Sequence, residues 1–418
     1  MKYKVFALLT ILATVFALAG MATPVKAAAY GTSFITSVTF QNVGDAASTI
    51  KFTFYAEADG TPIEITRPDL PKGAGTSVYL GSLGDITPGF RGSAMISSSQ
   101  PLVATLVQID PTGTIKNRAL SNGFSDGAAY VLIPTVLKNT FNTNSIFSVQ
   151  NVDGDPADVP IKLVPVSGSA ITITESNLPA GAAKYYDLGA IPEIAASSFN
   201  GSAQITAKKA GTSTDGMVVA TSMELFTTGD GVYAFEGAME TSDTIYMPSA
   251  LCKYNSQDSS YAVQNTETGN VDVTVTYSNG KSEGPFTLAG GAKKSLPGCG
   301  TTGTLNPAGF IGSAKITATG GNIVAVGKIY GGGLSTAFLG FPAGAAKIAL
   351  PYVRWTTAHW DDGTRQRAYI AIQNVGASDL AAGAVTVSYI DKNGTVVGTH
   401  TLGAIAKGAK TNSNASLI

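Results

Sequence analysis

The chain has 418 residues, with 27 Lys+Arg against 28 Asp+Glu, and only 13% of it is charged, about half the share of an average globular protein. A balanced, charge-poor chain without basic or acidic blocks excludes the electrostatic footprint of a nucleic-acid or anionic-lipid binder and excludes an acidic tail. The 48 glycines lack a three-residue period, which excludes collagen and leaves small-polar, Thr/Val-rich segments suited to extracellular β-structure with many turns.

The first element is Met1-Lys2-Tyr3-Lys4, then an apolar run from Val5 to Gly20, then Val25-Lys26-Ala27 before Ala28. A basic start, a short apolar core and small residues at −3 and −1 describe a secretory signal peptide over residues 1–27. The run is short for a membrane span; an uncleaved N-terminal anchor is the alternative. The mature chain is therefore expected outside the cytoplasm, secreted or on the cell surface.

Downstream, one pattern recurs. Gln41-Asn42, Gln150-Asn151, Gln264-Asn265 and Gln373-Asn374 stand 109, 114 and 109 residues apart. Gly-Ser-Ala triplets at Gly92, Gly201 and Gly312, each two residues after a phenylalanine, stand 109 and 111 apart. Two markers keeping one period indicate tandem domains, and about 110 residues is the size of one β-sandwich. The expected organisation is residues 28–128, 129–242 and 243–345 as complete units and 346–418 as a partial fourth, arranged as a string.

Within a unit the expected elements follow in order. After Gln-Asn comes a glycine turn, then a strand of period-two alternation, as in Ile50, Phe52 and Phe54, in Val271, Val273 and Val275, and in Val385, Val387 and Tyr389. Such alternation marks a sheet buried on one face. Hairpin turns follow at Asp59-Gly60, Asn279-Gly280 and Asn393-Gly394; unit two uses Ser167-Gly168, and its Pro165 suggests an edge strand. Then come a Gly-Ala loop (Leu70-Pro-Lys-Gly-Ala and its copies at Leu178, Leu288 and Ile405), the Phe-x-Gly-Ser-Ala strand, and a Val-Ala strand. Each unit hands over through an apolar segment ending in proline, at Pro134, Pro248 and Pro351. No stretch after the leader has sustained helical periodicity, so the fold class is all-β. The two cysteines, Cys252 and Cys299, both fall in unit three and are expected to pair in an oxidising compartment.

The fourth unit breaks the pattern. Its Gly-Ala glycine is Gly408, and the triplet should follow 19 to 21 residues later, beyond Ile418. A half-sandwich exposes an apolar face and an unpaired edge. The chain is then either a fragment or one whose missing strands come from another copy, by head-to-tail strand complementation.

The ordered set of apolar-Pro strand, Val-Gln-Asn-x-Gly, alternating strand, Leu-Pro-x-Gly-Ala and Phe-x-Gly-Ser-Ala resembles β-sandwich repeats of secreted and surface proteins from bacteria. The resemblance covers nearly all of residues 30–418. It implies immunoglobulin-like sandwiches and a structural or adhesive role, and it implies no catalytic or ligand-binding residues.

Chemistry is sparse. Asn42, Asn151, Asn265 and Asn374 are expected to bond the backbone of the turn that follows them. Ser93, Ser202 and Ser313 lack the Gly-x-Ser-x-Gly elbow of a nucleophile, and the glycine beside each marks a bulge or a close backbone approach. The histidines, His359 and His400, form no metal spacing, and Asp153, Asp155 and Asp158 lack a calcium-loop frame. No metal and no cofactor is expected. The one departure from the repeat is Arg354 to Arg367, holding Arg354, Trp355, His359, Trp360, Asp361 and Asp362. Aromatic rings beside Asp and Arg suit stacking on a sugar or anchoring a partner. The expected function is a non-enzymatic structural or adhesive protein of the cell surface or extracellular matrix. Its expected partners are itself, other surface proteins or polysaccharide, with no nucleic acid and no membrane span after leader removal. The alternative is a carbohydrate-binding array accessory to a secreted enzyme.

Overall fold

In the first unit, β1 (Ile35–Asn42), β2 (Ser48–Ala56), β3 (Pro62–Leu70), β4 (Gly75–Tyr79), β5 (Gly92–Ser98), β6 (Leu102–Ile109) and β7 (Ala119–Asn122) form two antiparallel sheets, ordered β4-β1-β6-β7 and β3-β2-β5. The computed structural model describes residues 34–356 and 367–418. The sheets face each other across Val38, Phe40, Ile50, Phe52 and Phe54. The alternating residues of β2 supply one wall and those of β1 the other, as a two-layer core requires.

The second unit adds a leading strand. It runs β8 (Tyr130–Lys138), β9 (Thr143–Asn151), β10 (Ala157–Pro165), β11 (Ile171–Leu178), β12 (Ala183–Asp187), β13 (Phe199–Thr206), the two-residue β14 (Lys208–Lys209), β15 (Val218–Phe226) and β16 (Val232–Glu236). Its sheets are β12-β9-β15-β16 and β11-β10-β13-β8, with β14 also on β10. The third unit repeats the order: β17 (Thr244–Cys252), β18 (Asp258–Asn265), β19 (Val271–Tyr277), β20 (Ser282–Leu288), β21 (Lys293–Pro297), β22 (Phe310–Thr319), β23 (Ile323–Gly331) and β24 (Leu334–Leu339), paired as β21-β18-β23-β24 and β17-β22-β19-β20. The fourth holds β25 (Ile370–Gln373), β26 (Thr386–Ile390), β27 (Val396–Thr401) and β28 (Lys410–Ser413), as the two pairs β25-β28 and β26-β27. The described residues are all-β, and every named strand pair is antiparallel.

The leading strand explains the handover proline. Val136 lies opposite Gly201 and Ile133 opposite Ala203, so Pro134 and Thr135 share the single residue Ser202. Unit three does the same, with Pro248 and Ser249 opposite Ser313. This is a bulge, where a residue without an N–H leaves no ladder bond unmade. The Phe-x-Gly spacing also has a steric origin. A Cβ on Gly201 or Gly312 would fall 2.6 and 2.5 Å from the phenylalanine ring two residues earlier, and one on Gly92 would lie 1.9 Å from the Tyr55 carbonyl oxygen. The ring folds back over the glycine and meets the alternating strand edge-on, in Phe54–Phe90 and Tyr277–Phe310.

Two expectations are corrected. Pro165 is not on an edge strand: β10 lies between β11 and β13. Proline is tolerated because pairing with β11 stops at Leu163, leaving Pro165 with β13 as its only neighbour. Nor are the units a string. Residues 34–418 form one compact unit, in which Asn117 of the first unit donates to the Asp230 carbonyl of the second and accepts from Ser335 N of the third. The first and fourth also meet, where Gly75 N donates to the Lys392 carbonyl at 3.3 Å. In the fourth unit the alternating face is only partly covered. Tyr389 is buried, while Val385 and Val387 are half-buried.

Candidate functional site

The repeated motifs converge at the junctions between units. The asparagine of each Gln-Asn pair is buried, and its Oδ1 accepts the turn N–H two residues on: Gly44, Asp153, Glu267 and Gly376, at 2.8 to 3.0 Å. That is the expected Asx turn. The side-chain amide does more. Its Nδ2 donates to the carbonyl four residues on and to the last residue of the hairpin strand or its equivalent: Leu70, Leu178, Leu288 and Ile405, at 2.9 to 3.0 Å. Asparagine thus ties the sheet it belongs to onto the facing sheet, near the Gly-Ala loop.

That loop is the socket of the junction. Gly73, Gly181, Gly291 and Gly408 all have φ between 73° and 78°, the left-handed region that glycine enters without a Cβ penalty. In three of them the carbonyl receives the triplet serine of the preceding unit. Ser93 donates to Gly181 at 2.7 Å, Ser202 to Gly291 at 2.8 Å and Ser313 to Gly408 at 2.6 Å. Gln150 adds a second donor to Gly181 at 3.1 Å, and Gln373 a long one to Gly408 at 3.4 Å. The serines are therefore latches. Gly73 instead faces the fourth unit, whose Gly394 approaches so closely that a Cβ there would lie 2.6 Å from the Lys72 carbonyl oxygen.

Charges are buried at the same places. Between units one and two, Glu57 pairs with Arg91, whose guanidinium lies 5.2 Å from the centre of the Tyr185 ring. Tyr185 O–H donates to Gly92 O at 2.7 Å. Burial, reinforced by Glu57, pushes the Tyr185 hydroxyl up to about 12. Between units two and three, fully buried Glu224 accepts from Lys328 at 2.5 Å, and Lys293 donates to Thr135 Oγ1 at 3.2 Å. Burial, then the like charge of Lys328, bring the Lys293 amine down to about 7. Lys410, at the matching position of unit four, is lowered by burial to about 8.

The departing segment is described in part. Trp355 and Tyr369 meet edge-on at 5.9 Å, Arg367 stacks 4.7 Å from the Trp355 ring centre, and Arg354 lies 5.1 Å from that of Tyr352. Trp355 and Arg367 form a β-bridge, and Tyr369 is 63% exposed. His359, Trp360, Asp361 and Asp362 lie outside the described residues.

Cys252 and Cys299 form a disulfide that closes the end of β17 onto the loop after β21. Among the described residues the one grouping of three metal-ligand types is these two sulfurs with Asp258, and the disulfide takes both sulfurs. Asp153 and Asp155 share the Lys209 ammonium, and Asp158 accepts the backbone N–H groups of Asn177 and Gly211. His400 Nδ1 shares a hydrogen bond with Ser413 Oγ, which also meets Tyr389 O–H.

Comparison with protein-family models, curated proteins and solved structures finds no match.

Proposed function

We propose that this is an exported, non-enzymatic structural or adhesive protein of the cell surface or extracellular matrix. In this reading it is built from tandem immunoglobulin-like sandwich repeats, three complete and one partial, and it assembles with further copies of itself. The observation that carries the reading is the latch. One serine and one left-handed glycine join consecutive units three times over, so the recurrent polar residues serve cohesion and no reacting centre is needed to account for them. Repetition then supplies reach and multivalency, through which weak contacts add up. The test is fractionation of the native source with an antibody to the mature chain. Recovery with washed cells or matrix is expected; a chain found wholly free in the medium and monomeric would defeat the proposal.

Carbohydrate binding is the second reading, favoured by the exposed Tyr369 ring set against Trp355 and Arg367. Sugar rings stack on such surfaces, with a guanidinium at hand for hydroxyls. A glycan array separates the two: specific binding lost in Trp355→Ala supports this reading, and the absence of any binding removes it.

A further inference from the structure

β13 and β22 have a strand on both sides; β5, their counterpart in the first unit, has only β2. In unit two the extra neighbour is β8, which places Val131, Ile133 and Val136 in the core. In unit three it is β17, which places Ile245, Met247 and Ala250 there. The alanine of each triplet records the difference. Ala203 and Ala314 are 0% and 1% exposed under these strands, whereas Ala94 is exposed. Among the described residues the outer edge of β5 has no partner.

The fourth unit holds the converse. Ile348-Ala349-Leu350-Pro351 matches Val131-Leu132-Ile133-Pro134 and Ile245-Tyr246-Met247-Pro248 in pattern. Yet it forms no strand, and Ile348 and Leu350 are 73% and 49% exposed. The strand it would join, the counterpart of β13, is not among the described strands of that unit. An apolar strand without an edge and an edge without its strand are complementary.

We propose that Lys347–Val353 of one copy adds to the outer edge of β5 in a second copy, antiparallel, as the missing leading strand of its first unit. The two internal precedents set the register. Ala203 faces Ile133 and Ala314 faces Met247, each the residue before the proline. Leu350 therefore faces Ala94, Ala349 faces Met95, Ile348 faces Ile96 and Val353 faces Gly92. Pro351 and Tyr352 share Ser93, forming the same bulge. Ile348, Leu350 and Val353 then enter the core beside Phe52 and Phe54, while Ser93 keeps its bond to Gly181. Strand addition of this type draws affinity from backbone bonds and specificity from alternate side chains. The proposal rests on the reading of an exported, self-assembling chain. Leader removal after Ala27 leaves six residues before Phe34, fewer than the nine of β8 or β17.

The test is a register-specific cross-link. Full-length chains carrying Met95→Cys and Ala349→Cys are co-expressed with different tags and oxidised. Directly opposed antiparallel residues have Cα atoms about 4.5 to 5.5 Å apart, within disulfide range. The native cysteines are already paired with each other. A reducible heterodimer is expected, at least ten-fold above a Ser97→Cys with Ala349→Cys control. Leu350→Asp, at an exposed position that leaves the single chain intact, is expected to abolish assembly seen by light scattering. Equal cross-linking in the control pair, no cross-link, cross-linking confined within single chains of the double variant, or assembly unaffected by Leu350→Asp would each overturn the proposal. Cross-linked heterodimers from a protein never found on cells or matrix would uphold the strand pairing and defeat the functional reading instead.

Discussion

Replacing Lys293 with methionine should stabilise the chain below pH 7, and that advantage should disappear as the pH approaches 10. Lys293 is buried between units two and three, bonded to Thr135 and Ser295, with Lys328, Glu224 and the rings of Phe141 and Tyr233 in the same cluster. Its amine falls from 10.5 to about 7, with burial as the main cause. The sign follows from proton binding. Between pH 7 and 10.5 the unfolded chain holds a proton at this lysine that the folded chain does not, so stability rises with pH across that window. Below pH 7 both states are charged, and the folded state carries the whole penalty, on the order of 5 kcal/mol. Methionine removes the charge and fills similar volume, at the loss of about 1 kcal/mol for the Thr135 hydrogen bond. The net gain at pH 6 is therefore on the order of 4 kcal/mol, shrinking by about 1.4 kcal/mol per pH unit above 7. Calorimetric melting of parent and variant from pH 5.5 to 10 reads the slope of the difference, and NMR of labelled lysine side chains reads the titration itself. A gain independent of pH, or a Lys293→Met chain less stable than its parent at pH 6, would refute the reasoning.

Three further outcomes follow from the same structure. Ser202→Ala removes a latch and leaves the Gly291 carbonyl without that donor, so it should destabilise the junction of units two and three by about 1 to 3 kcal/mol. Limited proteolysis should then show cleavage near that junction rising before any change in the fourth unit. Asn151→Ala loses the turn bond and both amide donations together, and denaturant titration should show a loss of about 2 to 4 kcal/mol, against well under 1 kcal/mol for exposed Asn393→Ala. Cys252→Ser with Cys299→Ser opens a loop spanning 47 residues and should lower the stability of unit three by about 4 kcal/mol, less any strain released. Hydrogen exchange should place that loss in residues 243–345 alone.

The sequence made the strands legible because their signals are local. Ile50, Phe52 and Phe54 alternate within five residues, and Asn279-Gly280 announces its hairpin where Gly280 takes φ 81°. The Asx turn at each Gln-Asn was legible for the same reason, its partner being two residues away. The latch was not, because Ser93, Ser202 and Ser313 reach carbonyls 88 to 95 residues on, and a backbone acceptor leaves no mark in side-chain type. The second role of the asparagine was hidden likewise, behind a leucine carbonyl. Lys293 read as one of two polar residues in Lys293-Lys294, although strand alternation sends one of them into the junction. In the Arg354–Arg367 segment the aromatic character was visible, and the pairing of Trp355 with Tyr369 and Arg367 was not, since eleven residues and more lie between them.

The latch has a consequence for how such a chain grows. Each complete unit carries its own serine at one end and its own left-handed glycine at the other, so donor and acceptor are inherited together. A gene duplication of one whole unit therefore inserts a copy that fits both neighbours at once, with no compensating substitution in either. Lengthening needs only recombination, whereas the individualised parts, the disulfide of unit three and the Trp355 segment, can diverge without disturbing that fit.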